Sequence, residues 1–356
     1  MTMESTQFGH ERALAELAVQ RAAILTKRVM KSVTGVSKAD ASPVTAADFA
    51  AQALLISALH KALPNDRFLG EESADVLRND DALRKQVWEL VSATYLDDAE
   101  SAALLATPES EEDMLKCIDL GGKETGGPSG RIWVMDPIDG TATFLQGKQY
   151  AVALALVVDG KEAVGVMGCP NLNPTASRVE ETLVDNDGYG IMLSAVRGQG
   201  AVIRPIGTGA LLPSRPIAKL AEFSGDMKDV NFVDSSLSED YHLALARKVS
   251  SKIGVELPGT EAWSTHMRYA AQVLGKTGNY VQIRMPEENN DRDDCIWDYA
   301  GAQLLFKEVG GTVTDLRGKE IDFGAGRRLG SNFGVVCAVG GLHGQLLKAV
   351  GEVLSG

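Results

Sequence analysis

Apolar residues between positions 11 and 29 recur at roughly helical intervals, with Leu14, Leu17, Ala18, Ile24, Leu25 and Val29 set among Glu16, Arg21, Lys27 and Arg28. The spacing predicts an amphipathic scaffold helix. Gly, Ser and Pro break the pattern over 34–43, and SPVTAAD leads into a second helix expected over 48–63, with Asp48 at its start. A short strand is expected over 67–69, ending in Gly70, Glu71, Glu72 and Ser73. The acidic segment 75–113, with scattered leucines, reads as a helical excursion with a solvated face and no chemistry. GGKETGGPSG, at 121–130, lacks the spacing of a phosphate loop and reads as a surface loop.

An apolar run over 132–135 delivers Asp136 to its end, after which Pro137, Ile138, Asp139, Gly140 and Thr141 turn the chain towards a helix start. The runs 151–158 and 163–168, separated by Asp159 and Gly160, read as a hairpin. The runs 190–197 and 201–204 repeat that pattern through Gly198, Gln199 and Gly200. The first half is therefore expected to hold two helices and a mostly antiparallel sheet. PIGTGALLPSRP, at 205–216, is the best boundary on composition, giving domains of 1–212 and 213–356. In the second, apolar runs near 230–233, 280–283 and 335–338 alternate with helix patterns near 240–252, 264–274, 297–309 and 343–354. That order predicts a smaller α/β unit with some parallel pairing.

A formal charge of −13 over 356 residues argues against a general nucleic-acid or membrane-surface binder. An anionic substrate would need bound metal or local Arg and Lys. Cys117, Cys169, Cys295 and Cys337 stand far apart with no zinc spacing, which suits reduced, packed thiols and a cytoplasmic location. MTMESTQFGHER is no secretory signal, and no apolar run approaches the roughly 18 residues that span a bilayer.

Two carboxylates three positions apart on a Pro/Gly turn cannot both lie in a dry core without a cation, a substrate or water. The candidate set is Asp48, Glu71, Asp136, Asp139 and Asp298 with Thr141, all at expected strand ends or helix starts. These are hard oxygen ligands, no His or Cys is expected among them, and the chemistry suits magnesium or manganese. The carbonyl of Ile138 could add another oxygen. Such a cluster can neutralise phosphate oxygens, activate a water and stabilise a leaving alkoxide, and two ions about 4 Å apart would hold attacking and leaving oxygens in line. The amides of Gly140 and Thr141 could bind a phosphate oxygen. No Ser/His/Asp arrangement competes.

DPIDGT at 136–141, GEES at 70–73 and WDYAG at 297–301 resemble the three signatures of the lithium-sensitive inositol monophosphatase superfamily. Within it the chain is most similar to the 3′(2′),5′-bisphosphate nucleotidases, through SPVTAADFAAQ at 42–52, GRIWVMDPIDGT at 130–141, CPNL at 169–172, IWDYAGAQLLFKEVGGTVTD at 296–315 and DFGAGR at 322–327. The resemblance implies a layered αβαβα fold with the site in the cleft between the two domains, and two or three magnesium ions. It also implies hydrolysis of the 3′-phosphate of adenosine 3′,5′-bisphosphate, activity on its sulfated relative, lithium sensitivity and a place in sulfur assimilation. Glu71, Asp136 and the Ile138 carbonyl would hold one ion; Asp136, Asp139 and Asp298 would hold the second. Asp48 and Thr141 would orient and deprotonate the attacking water, with Glu71 beside it. Thr265, Arg268 and Arg284 fall where the family meets the adenine nucleotide.

The chain departs from the family at Ala142 and Gln146, where basic residues are common, and at Cys295, which follows Asp293 and Asp294 where a lysine is usual. Asp234, Ser235 and Ser236 match a His-Ser adenine contact only loosely. These losses favour, as rivals, an inositol polyphosphate 1-phosphatase or another small-phosphomonoester phosphatase. A catalytically silent metal- or nucleotide-binding regulator is the rival of another class. Arg268 and Arg284 read equally well as surface charges paired with acids, and Trp263, His266 and Tyr269 as core aromatics. A monomer acting on a phosphorylated small molecule, with no nucleic-acid or membrane partner, is expected.

Overall fold

Side chains alternating across two sheets build three apolar cores, and five layers follow from them. The computed structural model describes residues 7–33, 42–176, 178–235, 240–255, 257, 259–285 and 294–355; the predicted break up to position 41, Ser236 and Asp293 lie outside them. The chain opens with α1 (Gly9–Val33) and α2 (Ser42–Ala62), then β1 (Arg67–Gly70). Four shorter helices follow, α3 (Asp75–Asn79), α4 (Asp81–Ser92), α5 (Ala99–Ala103) and α6 (Glu111–Gly122). Next come β2 (Arg131–Asp139), the one-turn helix α7 (Thr141–Phe144), β3 (Ala151–Val158), β4 (Lys161–Cys169), β5 (Ile191–Val196), β6 (Ala201–Pro205) and β7 (Arg215–Pro216). Strands β1 to β7 form one sheet in chain order, antiparallel except for β1 beside β2.

The second sheet is built from β8 (Asn231–Asp234), α8 (Asp240–Ile253), β9 (Thr260–Glu261), α9 (Thr265–Leu274), β10 (Tyr280–Arg284), α10 (Ala300–Glu308), β11 (Gly311–Thr314), β12 (Val335–Val339) and α11 (Gly340–Ser355). Its strand order is β11, β12, β10, β8, β9, with β8 parallel to both neighbours.

On β2, Trp133 and Met135 face the core shared with α1 and α2, whereas Ile132 and Val134 face the core between the sheets, where α9 and α10 lie. On β12, Cys337 joins that middle core and Val336 the outer one, against α8 and α11. A strand covered on both faces needs apolar residues at every position, which is why these runs show no alternation. The layers are thus α1/α2, first sheet, α9/α10, second sheet and α8/α11, the αβαβα order expected. At the β3–β4 hairpin Asp159 and Gly160 both have positive φ, 50° and 73°, as its tight turn requires.

One boundary is corrected. The second helix starts at Ser42, not Asp48. Pro43, the second residue of the helix, suits its first turn because an N–H there has no intrahelical partner in any case. Asp48 therefore lies inside α2 on the same face as Gln52, four residues on.

Candidate active site

The site grows from the end of β2. The β2–β3 register shifts between Asp136 and Asp139, where Pro137 has no N–H to give the ladder. Asp136 Oδ1 accepts from the Ile138 N–H at 3.2 Å. Gly140 has φ 95°, and a Cβ there would meet Thr143 Oγ1 at 2.6 Å and Ser264 Cβ at 3.0 Å, so the turn accepts only glycine. Thr143 Oγ1 closes the turn by donating to the Gly140 carbonyl at 2.6 Å. Thr141 is exposed, with its hydroxyl 3.4 Å from the Ile138 carbonyl.

Asp139 is tied to the start of α9. Its Oδ2 accepts from Ser264 Oγ at 2.5 Å, from the His266 N–H at 2.6 Å and from His266 Nδ1 at 2.7 Å. A carboxylate only accepts, so Nδ1 carries the proton. All three donors fall on one oxygen, leaving Oδ1 its lone pairs for a cation. Asp136, Asp139 and His266 bring ligand-capable atoms within 4.8 Å of one another. The expectation that no histidine joins the acids is corrected here. His266 is fully buried, and among the described residues its Nε2 has no hydrogen-bond partner. Its backbone N–H and its ring together fix the orientation of the Asp139 carboxylate. Its place in the sequence, two residues after Ser264 at a helix start, is the signal that could have found it.

Glu71 and Glu72 follow β1, and α2 holds them in place. Gln52 accepts from the Glu72 N–H at 3.0 Å and donates to the Glu72 carbonyl at 2.8 Å, so the helix that carries Asp48 also fixes the acidic loop. Arg327, from the DFGAGR segment, donates to the Gly70 carbonyl at 2.9 Å and to the Glu124 carbonyl at 2.9 Å. Its guanidinium lies 4.7 Å from the centre of the Trp297 ring, one residue before Asp298. One side chain thus joins the Glu71 loop to the Asp298 turn. Nothing in the DFGAGR motif itself marks Arg327 for this role, which depends on the fold. Asp298 Oδ2 accepts from the Cys295 N–H at 3.2 Å in the turn preceding α10.

Burial pushes Asp136 well above the carboxylate range, and the charges of Glu71, Asp139, Asp298 and Asp48 add to it. Asp48 is raised by burial, then by Glu72 and Glu71; Asp298 by burial, then chiefly by Asp139 and Asp294. Burial and Asp139 raise Glu71 against the pull of Arg327, although Glu71 still meets solvent. Burial also lifts Glu72, a member the sequence reading left without a role, to about 7. Burial works on Asp139 in the same direction, but the His266 imidazole and the hydrogen bonds hold it down at about 2. The five predicted acids therefore feel one another's charge, and Asp136 and Asp139, with His266, bring their donor atoms within 4.8 Å. This donor set fits hard divalent cations.

The residues expected at the nucleotide divide. Thr265 and Arg268 sit on the first turn of α9, and both are buried. Arg268 donates to the Trp263 carbonyl at 3.1 Å and to Thr265 Oγ1 at 2.7 Å, so it is no surface charge. Burial lowers its pKa, as does Arg284. Arg284, on β10, pairs with Asp294 at 3.3 Å. A further cation stands beside them: Lys148 Nζ lies 3.9 Å from the centre of the Trp263 ring.

Fold and site define a member of the inositol monophosphatase family, to which the chain belongs: the family's sequence model matches residues 10–355. The relatives narrow this further. The 3′(2′),5′-bisphosphate nucleotidase of Emericella nidulans is 41% identical across 98% of this chain and 99% of its own length. That of Schizosaccharomyces pombe is 37% identical across 98% and 97%, and that of Oryza sativa 36% across 98% and 95%. Among solved structures, inositol monophosphatase II of Staphylococcus aureus MSSA476 aligns with a TM-score of 0.56 at 17% identity, covering 96% of this chain and 95% of its own. Mycobacterium tuberculosis SuhB aligns at 0.57 and 18%, covering 98% of each, and both support the fold. The resemblance drawn from the motifs is borne out.

Proposed function

We propose that the protein is a magnesium-dependent phosphomonoesterase that removes the 3′-phosphate of adenosine 3′,5′-bisphosphate, giving AMP and phosphate, and that it also accepts 3′-phosphoadenylyl sulfate. The observation that carries the reading is the convergence of Asp48, Glu71, Asp136, Asp139 and Asp298 beside Thr141, in a chain whose relatives bear the nucleotidase name. Glu71, Asp136 and the Ile138 carbonyl would hold one ion, and Asp136, Asp139 and Asp298 would hold a second. Divalent cations bound there would neutralise phosphate oxygens, lower the pKa of the attacking water and stabilise the leaving oxygen. Asp48 and Thr141 orient that water, with Glu71 beside it, and Asp48 takes its proton. Burial, and after it the charges of Glu72 and Glu71, raises the affinity of Asp48 for a proton, in the direction a general base needs. The water oxygen bonds to phosphorus as the bond to O3′ breaks, and O3′ leaves with a proton from solvent. The amides of Gly140 and Thr141 face the phosphate, and Thr265, Arg268 and Arg284 the nucleotide. The free cysteines suit a reducing cytoplasm, where we infer a lithium-sensitive monomer with its site between units 1–212 and 213–356.

The test is phosphate release from adenosine 3′,5′-bisphosphate, its sulfated relative, inositol 1-phosphate, inositol 1,4-bisphosphate and fructose 1,6-bisphosphate, with magnesium and with chelator. Chelator-sensitive release, fastest from the nucleotide, is expected. Preference for an inositol ester would keep the chemistry and remove the nucleotide. Silence on all five would leave a binding protein.

A further inference from the structure

A cavity of about 750 Å³ opens where the edge of the first sheet meets the far end of α9. Leu172, Val179, Ile191, Ile203 and Val273, all buried, supply its apolar floor. None of the acids assigned to metal, nor Thr141, Thr265, Arg268 or Arg284, lines it. Helix α9 runs between the two places: its start binds Asp139, and Val273, Leu274 and Gly275 at its end form this wall. Ten helical residues put about 15 Å between them, so the sites are separate.

The rim is cationic. Arg178, Arg215, Lys219 and Lys276 line it, and among the described lining residues there is no Asp or Glu. In a chain with 48 acids against 35 Lys and Arg, such a wall runs against composition. Arg178 is paired with Glu180, and Lys219 donates to the Glu308 carbonyl at 2.5 Å. Arg215 and Lys276 form no ion pair among the described residues, so at least two positive charges face solvent over an apolar floor. The carbonyl end of α9 opposes an anion, but its half charge is outnumbered. The volume lies in the range of small-molecule pockets.

We propose that this cavity binds a small aromatic anion, its ring on the apolar floor and its phosphate, sulfate or carboxylate at Arg215 and Lys276. This stands independently of the reaction assigned above.

The probe is 1-anilinonaphthalene-8-sulfonate, titrated by fluorescence into the full-length protein with magnesium and inorganic phosphate present to occupy the acid cluster. One saturable site is expected. Its affinity should fall at least about tenfold in Arg215→Glu/Lys276→Glu, a loss of about 1.4 kcal/mol or more, while neutral N-phenyl-1-naphthylamine changes less than about threefold. Ala218→Trp, at an exposed lining position, should weaken both probes and leave phosphatase activity unchanged; it decides the matter if the double variant does not melt cooperatively. Unchanged sulfonate affinity in Ala218→Trp or in a folded double variant overturns the proposal. So does equal loss of both probes in the double variant. Sedimentation showing a dimer that the charge reversals dissociate would instead give the cavity to a second copy of the chain.

Discussion

Asp136 and Arg268 are equally buried, each 3% exposed, yet the protein treats them differently. The charges that bear most on Asp136 are those of four acids, Glu71, Asp139, Asp298 and Asp48, and among the described residues it accepts a backbone hydrogen bond from Ile138 at 3.2 Å. Arg268 donates to the carbonyls around the start of α9 and to Thr265. An uncompensated carboxylate is costly in the empty fold and favourable once a cation arrives. A guanidinium whose two terminal nitrogens already have acceptors, although its buried Nε has none among the described residues, ties the start of α9 together before any substrate binds. The acid side of the site is therefore built for something absent from the chain, and the arginine side is partly architecture.

The largest expected effect comes from Asp136→Asn. Activity should fall about a thousandfold or more, on the scale of losing a preorganised group at the reacting centre. In chelator the variant should be more stable than the parent by about 1–3 kcal/mol, because the cost of either burying a charge among acids or protonating the carboxyl there is gone. Calorimetry with and without magnesium reads both states. Activity within tenfold of the parent, or destabilisation in chelator, would break the contrast.

The next effect concerns pH. Glu72 is raised from 4.5 to about 7, and Asp48, Asp136 and Asp298 are raised too. A group that holds its proton more tightly when folded contributes stability at low pH, and that contribution is lost as pH rises through its folded pKa. In chelator, stability should fall between pH 4.5 and 7, with Glu72 contributing up to roughly 3 kcal/mol. Asp139, held near 2, works in the opposite sense, but only below the carboxylate range. Saturating magnesium should flatten the slope in thermal melts from pH 5 to 8. A slope that ignores magnesium would mean that the acids are not its ligands.

Arg268→Lys addresses the other side. Lysine keeps the charge but cannot fork between two carbonyls and Thr265, and urea unfolding should show a loss of about 1–3 kcal/mol, the range for orphaned buried acceptors. No loss would mean that the fork is held for a ligand after all.

How much of this could be read from residues alone depends on how local each cause is. The β3–β4 hairpin was legible because Asp159 and Gly160 are turn residues in their own right, and the αβαβα layering was implied by motif resemblance. The two-residue strands β7 and β9 were not, since Arg215–Pro216 and Thr260–Glu261 carry no period and exist only through their neighbours. In the site, the acids announced themselves through DPIDGT, GEES and WDYAG. His266 and Arg327 did not, because their roles depend on partners 127 residues away at Asp139 and 257 away at Gly70. The start of α2 was misread because Asp48 looks like a cap when Pro43 is taken as a breaker.

The smallest effect sharpens the comparison at its weakest point, the cations missing at Ala142 and Gln146. Lys148 is half-buried over the Trp263 ring, 3.9 Å from its centre, just before Ser264 caps α9. Its charge also draws down the pKa of Glu181 against burial, so it is only partly committed to the fold. If it supplies the charge that positions 142 and 146 lack, Lys148→Ala should raise KM for adenosine 3′,5′-bisphosphate about three- to tenfold with kcat within about twofold, the pattern of lost uniform binding. Lys148→Arg should restore it. For 3′-AMP, which lacks the 5′-phosphate, KM should not move, and the difference between the two substrates should shrink in high salt because the site is open to solvent. Equal rises for both substrates would put Lys148 on the transferred phosphate or the turn. With neither rising, its role would be the contact with Trp263, about 0.5–1 kcal/mol of stability at a solvent-facing site.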